Sequence, residues 1–146
     1  MRDDDARAAD LLHPQRDRDR AVVAPDLLPV VDLDFLGHLN QAVYHELLEE
    51  GRGALFERLG ALDGGFFFVL ARVELDHRQE IRRDHGPVTV TLRVEAVGRS
   101  SVTIAHELVR NDGEIAAEGR SVLVAWDRDG RRSRPLTDAE RAQLGA

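Results

Sequence analysis

Residues 40–77 read NQAVYHELLEEGRGALFERLGALDGGFFFVLARVELDH, and the apolar period changes partway along them. Over 41–59, Val43, Leu47, Leu48, Ala54, Leu55 and Leu59 recur at helical spacing, which predicts one long amphipathic helix. Asn40 stands where an N-cap is needed, and Gly60 where the helix must stop. Gly51 and Gly53 fall inside it, each costing a helix about 1 kcal/mol relative to Ala. Either they are tolerated weak spots, or they let another element pack very close. From residue 64 the period is two, and GGFFFVLARVELDH, 64–77, predicts a long strand.

The same alternation continues downstream. PVTVTLRVEAV, 87–97, puts Val88, Val90, Leu92, Val94 and Ala96 on one face and Thr89, Thr91, Arg93 and Glu95 on the other. Gly98-Arg99-Ser100 is a turn, and SVTIAHELVR, 101–110, is a further strand. Asn111-Asp112-Gly113 is a hairpin signal leading into EIAAEGRSVLVAWD, 114–127. Asp129-Gly130 turns the chain, and Thr137 caps a short last helix. Ahead of the long helix, AVVAPDLLPVVDL, 21–33, is extended, with Pro25 and Pro29 suited to a sheet edge. Strand, helix and four strands give an α+β fold with an antiparallel sheet packed on one helix. An exposed sheet edge invites pairing with a second copy, so a homodimer is expected. Residues 1–20 hold five Arg and six Asp, and predict a mobile mixed-charge tail ahead of a single domain, 21–146.

Composition narrows the chemistry. The 146 residues suit one domain, and all 20 of the Lys+Arg count are Arg. With no Lys, Schiff-base chemistry and a P-loop are excluded; with no Cys, so are a thiolate nucleophile, a thiolate zinc site and disulfides. Ser100, Ser101, Ser121 and Ser133 are the serines, and none sits in a G-x-S-x-G elbow. Catalysis therefore falls to carboxylates, histidines or backbone amides. A formal net charge of −7 disfavours nucleic acid. The apolar runs are too short to span a bilayer, and the N-terminus is charged from its second residue, so a cytoplasmic location is expected.

Asp32-Leu33-Asp34-Phe35-Leu36-Gly37-His38-Leu39-Asn40, followed by Tyr44, Glu49 and Arg52, resembles the signature of the hotdog-fold thioesterases. The likeness is to the 4-hydroxybenzoyl-CoA thioesterase-like branch, in which D-x-D-x-x-G-H-x-N-N-x-x-Y opens the central helix. VEAVGRSSVTIAHELVRNDGEIAAEGRSVLVAWD, 94–127, is similar to that family's hairpin pair, so the resemblance runs from about 20 to 136. It implies a long helix wrapped by an antiparallel sheet, assembled as dimers or dimers of dimers, with the acyl-thioester site at the subunit boundary. It implies hydrolysis of an acyl-CoA thioester without metal or bound cofactor. The alternatives are a thioesterase for acyl-carrier-protein or polyketide thioesters and a non-catalytic acyl-binding hotdog domain.

The resemblance also assigns residues. Asp34 is the catalytic carboxylate, acting as nucleophile or as base for water. The backbone N–H groups of Gly37 and His38, with the positive end of the helix dipole, are suited to hold the thioester oxygen. A side chain at Gly37 is expected to obstruct that approach. Asn40 and Tyr44 belong to the substrate-binding set, with Asn40 also the N-cap. The second Asn of the motif is Gln41 here, and Leu36 stands where the carrier-protein relatives have an Asn. Glu49 is the candidate for the branches that place the carboxylate on the helix, against a simpler role as an ion-pair partner of Arg52. For CoA phosphates, Arg99 with Ser100 and Ser101 aligns with the nucleotide-binding turn, and Arg82 and Arg83 form a second pair of cations. Phe66, Phe67 and Phe68 line an acyl tunnel or belong to the core.

Overall fold

Asn40 starts the central helix as its spacing predicts. Its backbone is extended (φ −62°, ψ 137°), and its side-chain oxygen accepts from the Ala42 N–H at 3.1 Å. Helix α1 runs Gln41–Arg58 and ends at Gly60, whose φ of +72° lets its N–H turn back to the Glu57 carbonyl. This computed structural model describes residues 21–23, 37–60, 67–85 and 87–145; the tail predicted over 1–20 and the prolines at 25 and 29 lie outside them.

The strands are β1 (Ala21–Val23), β2 (Phe68–His77), β3 (Thr89–Val97), β4 (Ser101–Val109), β5 (Ile115–Asp127) and β6 (Arg132–Ser133). They form one antiparallel sheet in the order β1-β3-β4-β5-β2, with β6 folded back on β5. A 3₁₀ turn, Arg83–His85, joins β2 to β3, and α2, Asp138–Gln143, follows a Thr137–Glu140 capping box. The α+β hotdog expectation is met: α1 lies on the inner face of the sheet.

Packing explains where the sequence reading held and where it slipped. Val102, Ile104, His106 and Leu108 are buried on β4, as alternation requires. Val88, just ahead of β3, and Val90 and Leu92 on it are buried, but the register shifts between Val94 and Ala96, and Ala96 is exposed rather than inward. The buried stripe of α1 is Tyr44, Leu47, Leu48, Gly51, Arg52, Leu55 and Phe56, so the stripe predicted through Val43, Ala54 and Leu59 is rotated to its margins. β6, two residues after the Asp129-Gly130 turn, was not foreseen.

The helix glycines divide. A Cβ on Gly51 would stand 2.6 Å from Leu92 Cδ1 and 3.3 Å from Val90 Cγ1, so close approach of the sheet is the reason for that glycine. A Cβ on Gly53 would meet no described residue within 4 Å.

A buried polar chain pins the helix to the sheet. Arg52 Nη1 donates to Ser121 Oγ (3.1 Å), Ser121 Oγ lies 3.2 Å from His106 Nδ1, and His106 Nε2 lies 3.0 Å from the Glu74 carbonyl. A carbonyl only accepts, so Nε2 carries the proton, Nδ1 accepts from Ser121, and the direction of the whole chain is set. Burial pushes the His106 imidazole below its usual range, and Arg52 and His45 add to this; the Glu74 carbonyl opposes it.

Among the described residues no strand pairs with the outer side of edge strand β2, and Phe67, Val69 and Leu70 at its start are exposed. The outer face of the sheet is charged, with Arg120 on Glu95 at 3.1 Å and Arg78 on Glu118 at 3.3 Å. Among the described residues, no helix is long and apolar enough to cross a membrane.

Candidate functional site

The turn before α1 is built by one backbone conformation. Gly37 has φ +80°, a region an L side chain enters only with strain. A Cβ there would meet no described residue within 4 Å, so among the described residues it is the backbone conformation that calls for glycine. The next residues are stitched to the segment after β2: the Leu39 N–H donates to the Ile81 carbonyl (2.7 Å), and His38 bridges to Arg82. The Leu39 amide is thus already engaged. Asp34 lies outside the described residues.

Beside this turn lies a cleft of about 290 Å³. His38, Leu39, Gln41 and Tyr44 line one side, and the run from His77 to Ile81 lines the other. Buried Tyr44 packs edge-on against the His77 ring, with centroids 4.9 Å apart and planes at 79°. His38 Nε2 sits 2.7 Å from Glu80 Oε2. The motif residues His38 and Tyr44 are therefore brought together, while the Asn40 carboxamide is engaged as the N-cap. His77 and Glu80 were missed by sequence reasoning. His77 had a signal, because a polar residue at an inward-facing strand position invites attention; Glu80, in a connecting loop, had none.

The turn bearing Arg99, Ser100 and Ser101 is rigidly held. Gly98 N–H donates to the Ser101 carbonyl (2.8 Å), Arg99 O accepts from Leu136 N–H (2.9 Å), and Ser100 O accepts from Ala125 N–H (2.8 Å). Arg141 Nη1 donates to the Gly98 carbonyl at 2.7 Å. The Arg99 side chain is left exposed. Ser101 pairs with Val124, and Phe68 with Ala125, so this turn lies at the Phe68 end of β2. His77 is at the other end of that ten-residue strand, about 30 Å away. One chain does not bring Arg99, Ser100 and Ser101 to His38.

The remaining candidates sort by position. Arg82 lies beside the cleft, paired with Glu80 and Asp84, and Arg83 is exposed in the 3₁₀ turn. Arg52 turns inward to Ser121 instead of pairing with Glu49; burial lowers its pKa, and the Glu49 charge works against that. Glu49 lines a second cleft with Arg52, Gly53, Phe56, Phe68, Leu70 and Leu123, between α1 and the open β2 edge. Phe68 stacks on Phe56 (5.0 Å, 10°), whereas exposed Phe67 lies under the Arg128 guanidinium at 4.6 Å; Phe66 is outside the described residues. Among the described residues, no cluster of three His, Asp or Glu is arranged to hold a metal ion.

Comparison with known proteins agrees with this fold. The model of the thioesterase-like superfamily matches residues 28–144. A thioesterase from Thermus thermophilus, solved in complex with coenzyme A and Zn, is 38% identical with a TM-score of 0.75, covering 86% of this chain and 98% of its own. A predicted thioesterase from Bacillus stearothermophilus is 31% identical with a TM-score of 0.74, over 86% of this chain and 92% of its own. A Staphylococcus aureus protein in complex with CoA, 14% identical with a TM-score of 0.74 over 86% and 82%, shares the fold. No curated protein matches.

Proposed function

Because the chain belongs to the thioesterase-like superfamily, we propose that this thioester hydrolase acts on acyl-CoA, releasing a free acid and CoA. The observation that carries the reading is the cleft at the start of α1, where His38 and Tyr44 of the D-x-D-x-x-G-H-x-N-N-x-x-Y signature line one space. Asp34, three residues before the φ +80° glycine, supplies the carboxylate, either attacking the carbonyl or drawing a proton from water. The Gly37 and His38 amides stabilise the oxygen as it becomes negative, helped by the N-terminal end of α1. The 38% identical Thermus thermophilus thioesterase, solved in complex with coenzyme A, supports that choice of thiol.

The site is composite in this reading. A two-fold axis pairing β2 with its copy runs the two strands antiparallel, which sets one chain's Phe68 end beside the other's His77 end. Arg99, Ser100 and Ser101 of one chain then approach the His38 cleft of the second, and the guanidinium receives CoA phosphate. The exposed apolar start of β2, with Phe67, Val69 and Leu70, supports a homodimer built on this edge, alone or as half of a dimer of dimers. The cleft lined by Phe56, Phe68, Leu70 and Leu123 offers apolar surface for the acyl chain.

Thiol release, followed across acyl-CoA chain lengths and carrier-protein thioesters, tests this. Wild type is expected to turn over CoA thioesters, and Asp34→Asn and Asp34→Ala to lose roughly 100-fold or more in kcat. No thiol release from any thioester refutes the substrate reading, and full activity in Asp34→Asn refutes the catalytic one.

A further inference from the structure

Between the second half of α1 and the start of β2 lies a cleft of about 290 Å³, walled by Phe56, Phe68, Leu70 and Leu123. Arg52 and Gly53 also line it. Arg52 is only 8% exposed. Its Nη1 donates to Ser121 Oγ at 3.1 Å; among the described residues this is its one hydrogen bond, and no carboxylate is ion-paired with it. The Nε–H and Nη2–H groups are left over, side by side on one edge of the planar guanidinium. Among the described residues every sealed polar side-chain atom has a partner, so these two nitrogens are not sealed, and they open onto the cleft. Glu49 stands at the rim but is exposed, so water holds its charge and it neutralises the guanidinium only in part. Gly53 is a second, separate sign. It forgoes about 1 kcal/mol of helix preference relative to Ala, and a Cβ there would meet no described residue within 4 Å. The space beside the guanidinium is kept clear.

We propose that this cleft is a subsite for an acyl group ending in a carboxylate, held by the open edge of Arg52; the assignment rests on the acyl-CoA reading above and narrows its substrate class. A buried guanidinium without a counter-charge is costly, and a partner repays that cost only where the geometry is good. A carboxylate has that geometry, because its two oxygens match the parallel Nε–H and Nη2–H in a bidentate pair. The phenyl and leucine walls take the methylene chain behind it. A methyl-terminated chain fills the same walls but leaves the guanidinium edge dry and unpaired. In the antiparallel β2 pairing above, the Phe68 end of one chain adjoins the His77 end of the other. The tail of a thioester bound at one chain's His38 cleft therefore runs toward the other chain's Arg52.

Thiol release from adipoyl-CoA and suberoyl-CoA, set against hexanoyl-CoA and octanoyl-CoA, tests the assignment on the full-length protein. Wild type is expected to favour the carboxylate-ended member of each pair by roughly 30-fold or more in kcat/KM, and Arg52→Gln to bring each pair within about threefold. No preference in wild type, or a preference that survives Arg52→Gln, overturns the proposal. A second readout needs neither turnover nor a variant that folds. Wild type is titrated with adipate at constant ionic strength, and the Arg52 Nε–H signal is followed by ¹H–¹⁵N NMR. A saturable shift is expected, and its absence overturns the subsite. No thiol release from any of the four thioesters, together with a saturable shift, sinks the hydrolase reading and leaves the subsite standing. Turnover without preference and without a shift sinks the subsite alone.

Discussion

Replacing Gly51 and Gly53 by Ala, one at a time, separates helix propensity from helix–sheet contact. Both lie inside α1, so each Gly→Ala gains about 1 kcal/mol of intrinsic helix preference. At Gly53 no described residue lies within 4 Å of the new methyl, and that gain stands alone. At Gly51 the methyl arrives 2.6 Å from Leu92 Cδ1 and 3.3 Å from Val90 Cγ1. Val90 and Leu92 are at most 1% exposed, so neither can swing into solvent. Overpacking of a closed core costs about 1–3 kcal/mol, which leaves Gly51→Ala about 0–2 kcal/mol less stable than wild type. Propensity cancels between the two variants, so their difference, about 1–3 kcal/mol, measures the contact itself. For a chain of this size each kcal/mol moves Tm by about 4 °C, within reach of circular dichroism or urea unfolding. If Gly51→Ala stabilises as much as Gly53→Ala, the helix is not pressed against β3 as described. A loss at Gly53 that deepens on dilution instead puts a second chain against that face.

Asn40→Ala removes the cap of α1 and is expected to cost about 1 kcal/mol in urea unfolding, with Asn40→Asp nearly neutral. Because burial lowers the His106 pKa, the unfolded chain takes up a proton at higher pH than the folded one. Stability from this residue is therefore complete above about pH 6.5 and falls as pH drops below it, levelling off under the folded pKa. A Tm-against-pH series should show that slope, and His106→Gln should flatten it; an unchanged slope means other groups cause it. Arg99→Ala is expected to raise KM for acyl-CoA several-fold and to leave acyl-pantetheine thioesters, which lack the nucleotide, unaffected. An equal change for both substrates would show that Arg99 does not meet the nucleotide.

The helix and the long strands were legible because burial on one face imposes a period, and a period survives in one dimension. What broke the period was not legible. The bulge at Glu95 adds a single residue and turns Ala96 outward, and nothing local in VEAVG announces it. Arg52 stands at a core position of the helical wheel, but its partner Ser121 lies 69 residues away, so only the folded chain shows why a guanidinium belongs there. The same holds at the cleft: Gly37, His38 and Tyr44 were readable as one motif, whereas Glu80 reaches His38 only because β2 returns alongside the helix start.

The separation of the His38 cleft and the Arg99 turn by the length of β2 has a genetic consequence. If each site takes its carboxylate from one chain and its phosphate-binding arginine from the other, two different defects segregate when chains mix. In a heterodimer of an Asp34 variant with an Arg99 variant, one site collects both lesions and the other carries none. Random pairing makes about half of the dimers mixed, so about a quarter of all sites carry neither lesion and regain the wild-type KM with the wild-type kcat. Alleles at the two ends of the strand should complement one another in the same cell, and alleles at the same end should not.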